Sequence, residues 1–316
     1  MGVETAPVLR TELAGIELAH PVLNGSGTFD AIAARRAFGD AILARLPFSA
    51  FVSKTITPEP RAGNPPPRLF ETPAGLINSI GLPNKGLDGF LVDDLPVLAQ
   101  LPVPLIVSVM GESAPEFSRL VSGVAPRDEV AGIELNISCP NVESGLIVGE
   151  EPEETLRLVR ELRELTAKPL IVKLTPNVAH PAAIARAAEE SGADAVSLIN
   201  TLRGMALRPG GSGEAWLGGR TGGVSGPAVR AVALAQVAAV RAAVDIPIVG
   251  MGGVQSGRHA LDLRQAGADV VAVGTETFRN PVAGASVAAE LAALEQGSPA
   301  NAQEHGYRSG RPMFVQ

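Results

Sequence analysis

The chain has 316 residues, 46% of them hydrophobic, with 35 Gly and 26 Pro, a composition too apolar for disorder and too even for low complexity. Its formal net charge of −7 argues against a strong field for nucleic acid and leaves small molecules or proteins as partners. The single cysteine excludes an intramolecular disulfide framework and a cysteine-rich metal site, and fits a reducing compartment.

The N-terminal residues carry neither an apolar signal core nor a myristoylation motif, and no apolar run is long enough to span a bilayer. The expectation is a soluble, cytoplasmic chain. Short runs rich in Val and Ile at 21–24, 48–54, 104–110, 132–139, 169–175, 195–200, 246–253 and 270–275 predict eight strands. Such continuous runs suit parallel strands covered on both faces. Helical patterns fill the intervals, at 31–46, 87–100, 115–124, 152–165, 181–191, 227–244, 258–266 and 281–294. Several begin with Pro in the first turn, where its missing N–H costs nothing. This alternation predicts an α/β fold, a (β/α)8 TIM barrel forming one domain over 1–316, with a doubly wound open sheet as the alternative. The non-periodic stretches 55–86 and 203–221 read as insertions after the second and sixth strands, on the face where barrel enzymes keep their active sites.

The informative residues are the polar ones that end these runs. Lys54 closes the second strand, Asn136 and Cys139 the fourth, Lys173 the fifth, and Asn200 with Thr201 the sixth, so all should meet on one rim. Only four of the 26 basic residues are lysines, and two of those four sit in strand-like runs. Each alone could snorkel to solvent; two on one rim point to an anion site. An isolated cysteine is usually an inert core residue, but Cys139 lies in Asn136-Ile137-Ser138-Cys139-Pro140-Asn141, among amides and a hydroxyl. There it can serve as nucleophile or as proton acceptor. Glycine-rich turns follow the late strands at 221–227, 250–253 and 274–275, and their backbone N–H groups suit a phosphate. No G-x-G-x-x-G stands at a first βα turn, which speaks against a Rossmann-bound NAD. The four histidines lack metal-ligand spacing, and the acidic run at 150–154 fits a helix N-terminus.

Taken together, Gly25-Ser26-Gly27-Thr28-Phe29, Asn78-Ser79-Ile80-Gly81-Leu82, Asn136 to Asn141, Asn200-Thr201-Leu202, Thr221 to Gly226 and Gly250 to Gly253 resemble a class 1B dihydroorotate dehydrogenase catalytic subunit. The resemblance runs in order from about Gly15 to Pro281. It implies an FMN-dependent barrel of pyrimidine biosynthesis that oxidises dihydroorotate to orotate. By position, Cys139 matches the base that removes the C5 proton as hydride leaves C6 for flavin N5. Lys54 matches a contact to both flavin and substrate, and Lys173 one beside the flavin's pyrimidine edge. Asn78, Ser79, Ile80, Gly81, Leu82, Asn136, Asn141, Asn200 and Thr201 match the substrate pocket. Ser26, Thr55, Asn136, Ile199, Gly226, Gly252, Gly253, Gly274 and Thr275 match flavin contacts, and Ser108 stands where relatives place an asparagine against the flavin. The resemblance also implies a partner subunit carrying FAD and an iron–sulfur cluster, with NAD as final acceptor, around a homodimer core of a heterotetramer. Left open beside it are a related flavin-dependent dihydropyrimidine oxidoreductase, a sugar-phosphate isomerase or lyase with Lys173 as an amine catalyst, and a non-enzymatic scaffold.

Overall fold

A computed structural model describes residues 9–138 and 149–297. Strands β1 (Val22–Asn24), β2 (Phe51–Val52), β3 (Leu105–Val109), β4 (Val130–Asn136), β5 (Leu170–Lys173), β6 (Ala195–Leu198), β7 (Ile248–Met251) and β8 (Val270–Val273) form one parallel sheet. Neighbours run 1-8-7-6-5-4-3-2, so the sheet curls into a barrel with consecutive strands adjacent. The seam between β1 and β2 is closed by the Ser49 N–H donating to the Val22 carbonyl at 3.0 Å and by the side chain of Asn24 bonding to Val52.

Alternation along each strand divides the core into two. Val22, Phe51, Val107, Ile133, Val172, Val196 and Val271 face the surrounding helices. Leu23, Val52, Ile106, Ile171, Ala195, Val249 and Val270 fill the interior. An N-terminal hairpin, Thr11–Leu13 with Ile16–Leu18, contributes Leu13, Ile16 and Leu18 to that inner cluster. Burial on both faces explains why these strands read as unbroken apolar runs. The eight expected strands are all present, several shorter than the runs that announce them.

The helices depart from expectation in three places. The pattern at 31–46 is two helices, Ala31–Phe38 and Ala41–Ala44, because Gly39 at φ +78° ends the first. The pattern at 87–100 is split by a π-helical turn, Phe90–Asp94, between Gly86–Gly89 and Leu95–Leu98. The pattern at 227–244 opens with a 3-10 turn, Pro227–Val229, before the helix Arg230–Arg241. Among the described residues no helix is long and apolar enough to cross a membrane.

The two long insertions are not irregular. Leu69–Thr72 and Gly75–Asn78 form a hairpin from the first, and Leu202–Gly204 and Gly222–Ser225 bracket the second; together they make a four-stranded antiparallel sheet. Ile77, Ala206 and Leu217, with Phe70 and Trp216 edge-on to each other, give this sheet its own small core.

Candidate active site

A cavity of about 300 Å³ opens where the barrel strands end. Ser26 follows β1 and Lys54 and Thr55 follow β2; Asn136 ends β4 and Lys173 ends β5; Ile199, Asn200 and Thr201 follow β6. All line the cavity. Gly252 and Gly253 after β7 and Gly274 and Thr275 after β8 form another wall with Gly226. The antiparallel sheet and the residues after its hairpin contribute Asn78, Ile80, Gly81 and Leu82. Strand direction does this work: in a parallel barrel every C-terminal strand end lies on one rim.

Two expected contacts lie elsewhere. Ser108 is 0% exposed and sits beneath the cavity, its hydroxyl 2.9 Å from Thr55 Oγ1 and 2.9 Å from Glu134 Oε1. Ser79 is buried among the insertion loops, where its Oγ accepts from Asn64 Nδ2 at 2.9 Å. Cys139 and Asn141 lie outside the described residues.

At Gly226, Gly252 and Gly253 the glycine wall has no space for side chains. A Cβ on Gly226, whose φ is +89°, would lie 2.9 Å from Gly75 Cα. On Gly253, at φ +70°, it would lie 2.8 Å from Arg230 Cβ and 3.0 Å from the Gly226 carbonyl. Backbone therefore forms the cavity surface here, as close approach to a phosphate requires. Thr275 Oγ1 donates to Ser225 Oγ at 2.9 Å, adding hydroxyls to that wall. Across the cavity, Gly27 at φ +70° lies against Lys54, with an added Cβ 3.0 Å from Nζ.

Below the rim is a polar layer that the sequence reading missed. Glu134 lies within β4 with its side chain 4% exposed, and Lys173, at 6%, brings Nζ to 3.8 Å from Glu134 Oε1 while donating to Ser26 Oγ at 2.9 Å. Ser197 Oγ donates to Glu134 Oε2 at 3.2 Å. The available signal was a Glu inside an otherwise apolar strand, two residues before Asn136. The rim carries a second linked group: Ser138 Oγ donates to Asn136 Oδ1 at 3.0 Å, and Asn200 Nδ2 donates to Ser138 Oγ at 2.8 Å. A cavity walled mainly by backbone on one side and by amides and two lysines, Lys173 buried and Lys54 half-buried, on the other can hold a phosphate-bearing planar cofactor and a small polar ring together.

Comparison with known proteins agrees with this chemistry. The family profile described as dihydroorotate dehydrogenase matches residues 8–294. The chain is 47% identical over 300 residues to the dihydroorotate dehydrogenase B (NAD(+)), catalytic subunit, of Desulforudis audaxviator (strain MP104C), covering 92% of each chain. It is 42% identical over 306 residues to the protein of the same name from Geotalea uraniireducens (strain Rf4), covering 94% of this chain and 97% of that one. To the one from Thermoanaerobacter sp. (strain X514) it is 44% identical over 282 residues, 86% and 89% of the two chains.

Proposed function

The chain belongs to the dihydroorotate dehydrogenase family, and from that premise we propose that it oxidises dihydroorotate to orotate with FMN bound across the barrel mouth. The observation that carries this reading is the meeting of two lysines, three amides and a side-chain-free glycine wall on one cavity. The residues fit the cofactor: Gly226, Gly252, Gly253 and Gly274 leave only backbone facing a phosphate, and Lys173 supplies a cation for a ring edge that gains negative charge on reduction.

Asn78, Asn136, Asn200 and Thr201 are assigned to the substrate ring, whose N–H and C=O groups need partners that both donate and accept. Lys54 is assigned to the substrate carboxylate and to the cofactor. Cys139 is assigned as the base that takes the C5 proton while hydride departs from C6. FMN, when bound, supplies the acceptor for that hydride. The family leaves no role for Lys173 as a sugar-phosphate amine catalyst. Relatives bear the name of a catalytic subunit, so a second subunit is part of this reading. Its assigned cargo is FAD and an iron–sulfur cluster, delivering electrons to NAD(+) from a homodimer core in the cytoplasm.

The test is anaerobic mixing of the purified, FMN-loaded chain with dihydroorotate, followed at the flavin absorption band. Bleaching with one orotate formed per flavin is expected. A chain that takes up FMN but is bleached by dihydrouracil and not by dihydroorotate is a different dihydropyrimidine oxidoreductase. A chain that does not bind FMN defeats the reading.

A further inference from the structure

Resting on that reading, we propose that Glu134 is a positioning residue: from inside the barrel it orients the carboxamide of Asn136 through Ser108 and Thr55, and it holds the ammonium of Lys173 as its counter-charge. The direction of each hydrogen bond carries the argument. The backbone N–H of Ser138 can only donate, and it faces Asn136 Oδ1 at 3.4 Å, which fixes that end of the amide as oxygen. Asn136 Nδ2 then donates to Thr55 Oγ1 at 3.2 Å. The contact between Thr55 Oγ1 and Ser108 Oγ at 2.9 Å is ambiguous by itself, but Ser108 has one hydroxyl proton and Glu134 takes it, so Thr55 is the donor here. Ser108 in turn donates to Glu134 Oε1 at 2.9 Å. At the other end Asn200 donates to Ser138, and Ser138 to Asn136. Every link points one way, and a carboxylate, which only accepts, ends the chain.

Strand alternation places this group directly above the apolar filling. Ile106 and Ser108 share a face of β3, Ile171 and Lys173 a face of β5, and Ala195 and Ser197 a face of β6. An apolar residue at position 134 would serve the barrel's stability as well as a buried ion pair does. The carboxylate's bonds instead lead upward, to Asn136 and Lys173 on the cavity wall.

Two substitutions separate the two parts. Glu134→Gln keeps the shape and an oxygen for Ser108, and removes the charge alone. In the FMN-loaded full chain it is expected to favour reduced over oxidised flavin at least about tenfold, an upward shift of about 30 mV in midpoint potential for a two-electron couple. Ser108→Ala keeps the charge and cuts the chain. It is expected to weaken orotate binding to the oxidised holoenzyme about fivefold, the effect of one hydrogen bond, and Ser108→Thr, which retains the hydroxyl, should restore it. A potential that is unchanged or lower in Glu134→Gln, or equal orotate affinity in the Ala and Thr variants, overturns the proposal. If Glu134→Gln does not fold, the Ser108 pair decides. Wild-type protein that binds neither FMN nor orotate removes the function and this inference together; wild-type protein that binds both, with variants that match it, removes the inference alone.

Discussion

The carboxamide of Asn24 does the work of a missing strand pairing with Val52: its Oδ1 accepts the Val52 N–H at 2.8 Å, and its Nδ2 donates to the Val52 carbonyl at 2.8 Å. The side chain is fully buried, at the seam where β1 and β2 lack a ladder. Asn24→Ala leaves both backbone groups of Val52 without partners, at about 1–3 kcal/mol each. The expected loss is about 2–5 kcal/mol of unfolding free energy, read as a lower urea midpoint with an unchanged slope. Asn24→Asp should cost as much, since it loses the donor and sets an oxygen against the Val52 carbonyl. A loss of less than about 0.5 kcal/mol in both variants, the level of an ordinary surface substitution, would show that the seam closes by other means.

Gly252 tests the glycine wall. Its φ of +137° is open to glycine and strained for other residues, and an added Cβ would lie 2.7 Å from Ala233 Cβ and 3.3 Å from Ile199 Cγ1. Ala233 belongs to the helix Arg230–Arg241, so the loop and not the helix must move. Gly252→Ala is expected to weaken FMN binding about tenfold or more, the equivalent of about 1.4 kcal/mol, measured by quenching of flavin fluorescence. Equal affinity in the variant would place the cofactor away from this wall.

The barrel was legible because its strands are buried on both faces, and runs such as Leu105–Val109 and Val270–Val273 have every residue buried. The rim was legible for a related reason: Lys54, Asn136, Lys173 and Asn200 are polar residues where apolar runs stop. Glu134 was not, because a residue in mid-run has no boundary to mark it, and its partners Ser108, Lys173 and Ser197 come from three other strands. The insertion sheet was missed because its strands have only three or four residues each and pair across a long separation, Gly223 opposite Asn78. Its alternation is too short to register as a period. Ser108 does not line the cavity; its hydroxyl bonds to Thr55, which does, and to Glu134.

His20, just before β1, makes part of the fold's stability depend on pH. Burial pushes its imidazole below the ordinary value of 6.5, and Nδ1 has no hydrogen-bond partner among the described residues. The unfolded chain binds this proton near pH 6.5, while the folded chain takes it up only at lower pH. The stability it contributes is therefore complete above about pH 6.5 and is lost as pH falls toward the folded value. His259 acts in the same direction, lowered by burial first and by Arg230 second. The urea midpoint is expected to fall between about pH 7 and 5.5, less steeply in His20→Gln, and less again when His259→Gln is added. Parallel pH profiles in all three proteins would assign the acid sensitivity to other groups.

Cys139 lies outside the described residues, but Ser138 before it is buried and held by both Asn136 and Asn200 at the cavity's edge. A serine hydroxyl keeps its proton far more tightly than a thiol, so Cys139→Ser replaces the assigned base with a much weaker one of similar size. Bleaching of the flavin band by dihydroorotate near neutral pH is expected to slow by about 10²–10⁴, the usual weight of a positioned base. The remaining rate should climb as pH is raised, and FMN affinity should stay within about twofold, well under a tenfold step of about 1.4 kcal/mol. Stopped-flow traces of the FMN-loaded variant across pH distinguish this from a merely structural cysteine, for which cofactor affinity would fall and the rate per bound flavin would hold. That second pattern would remove the base assignment and leave the cavity's other residues to account for proton removal.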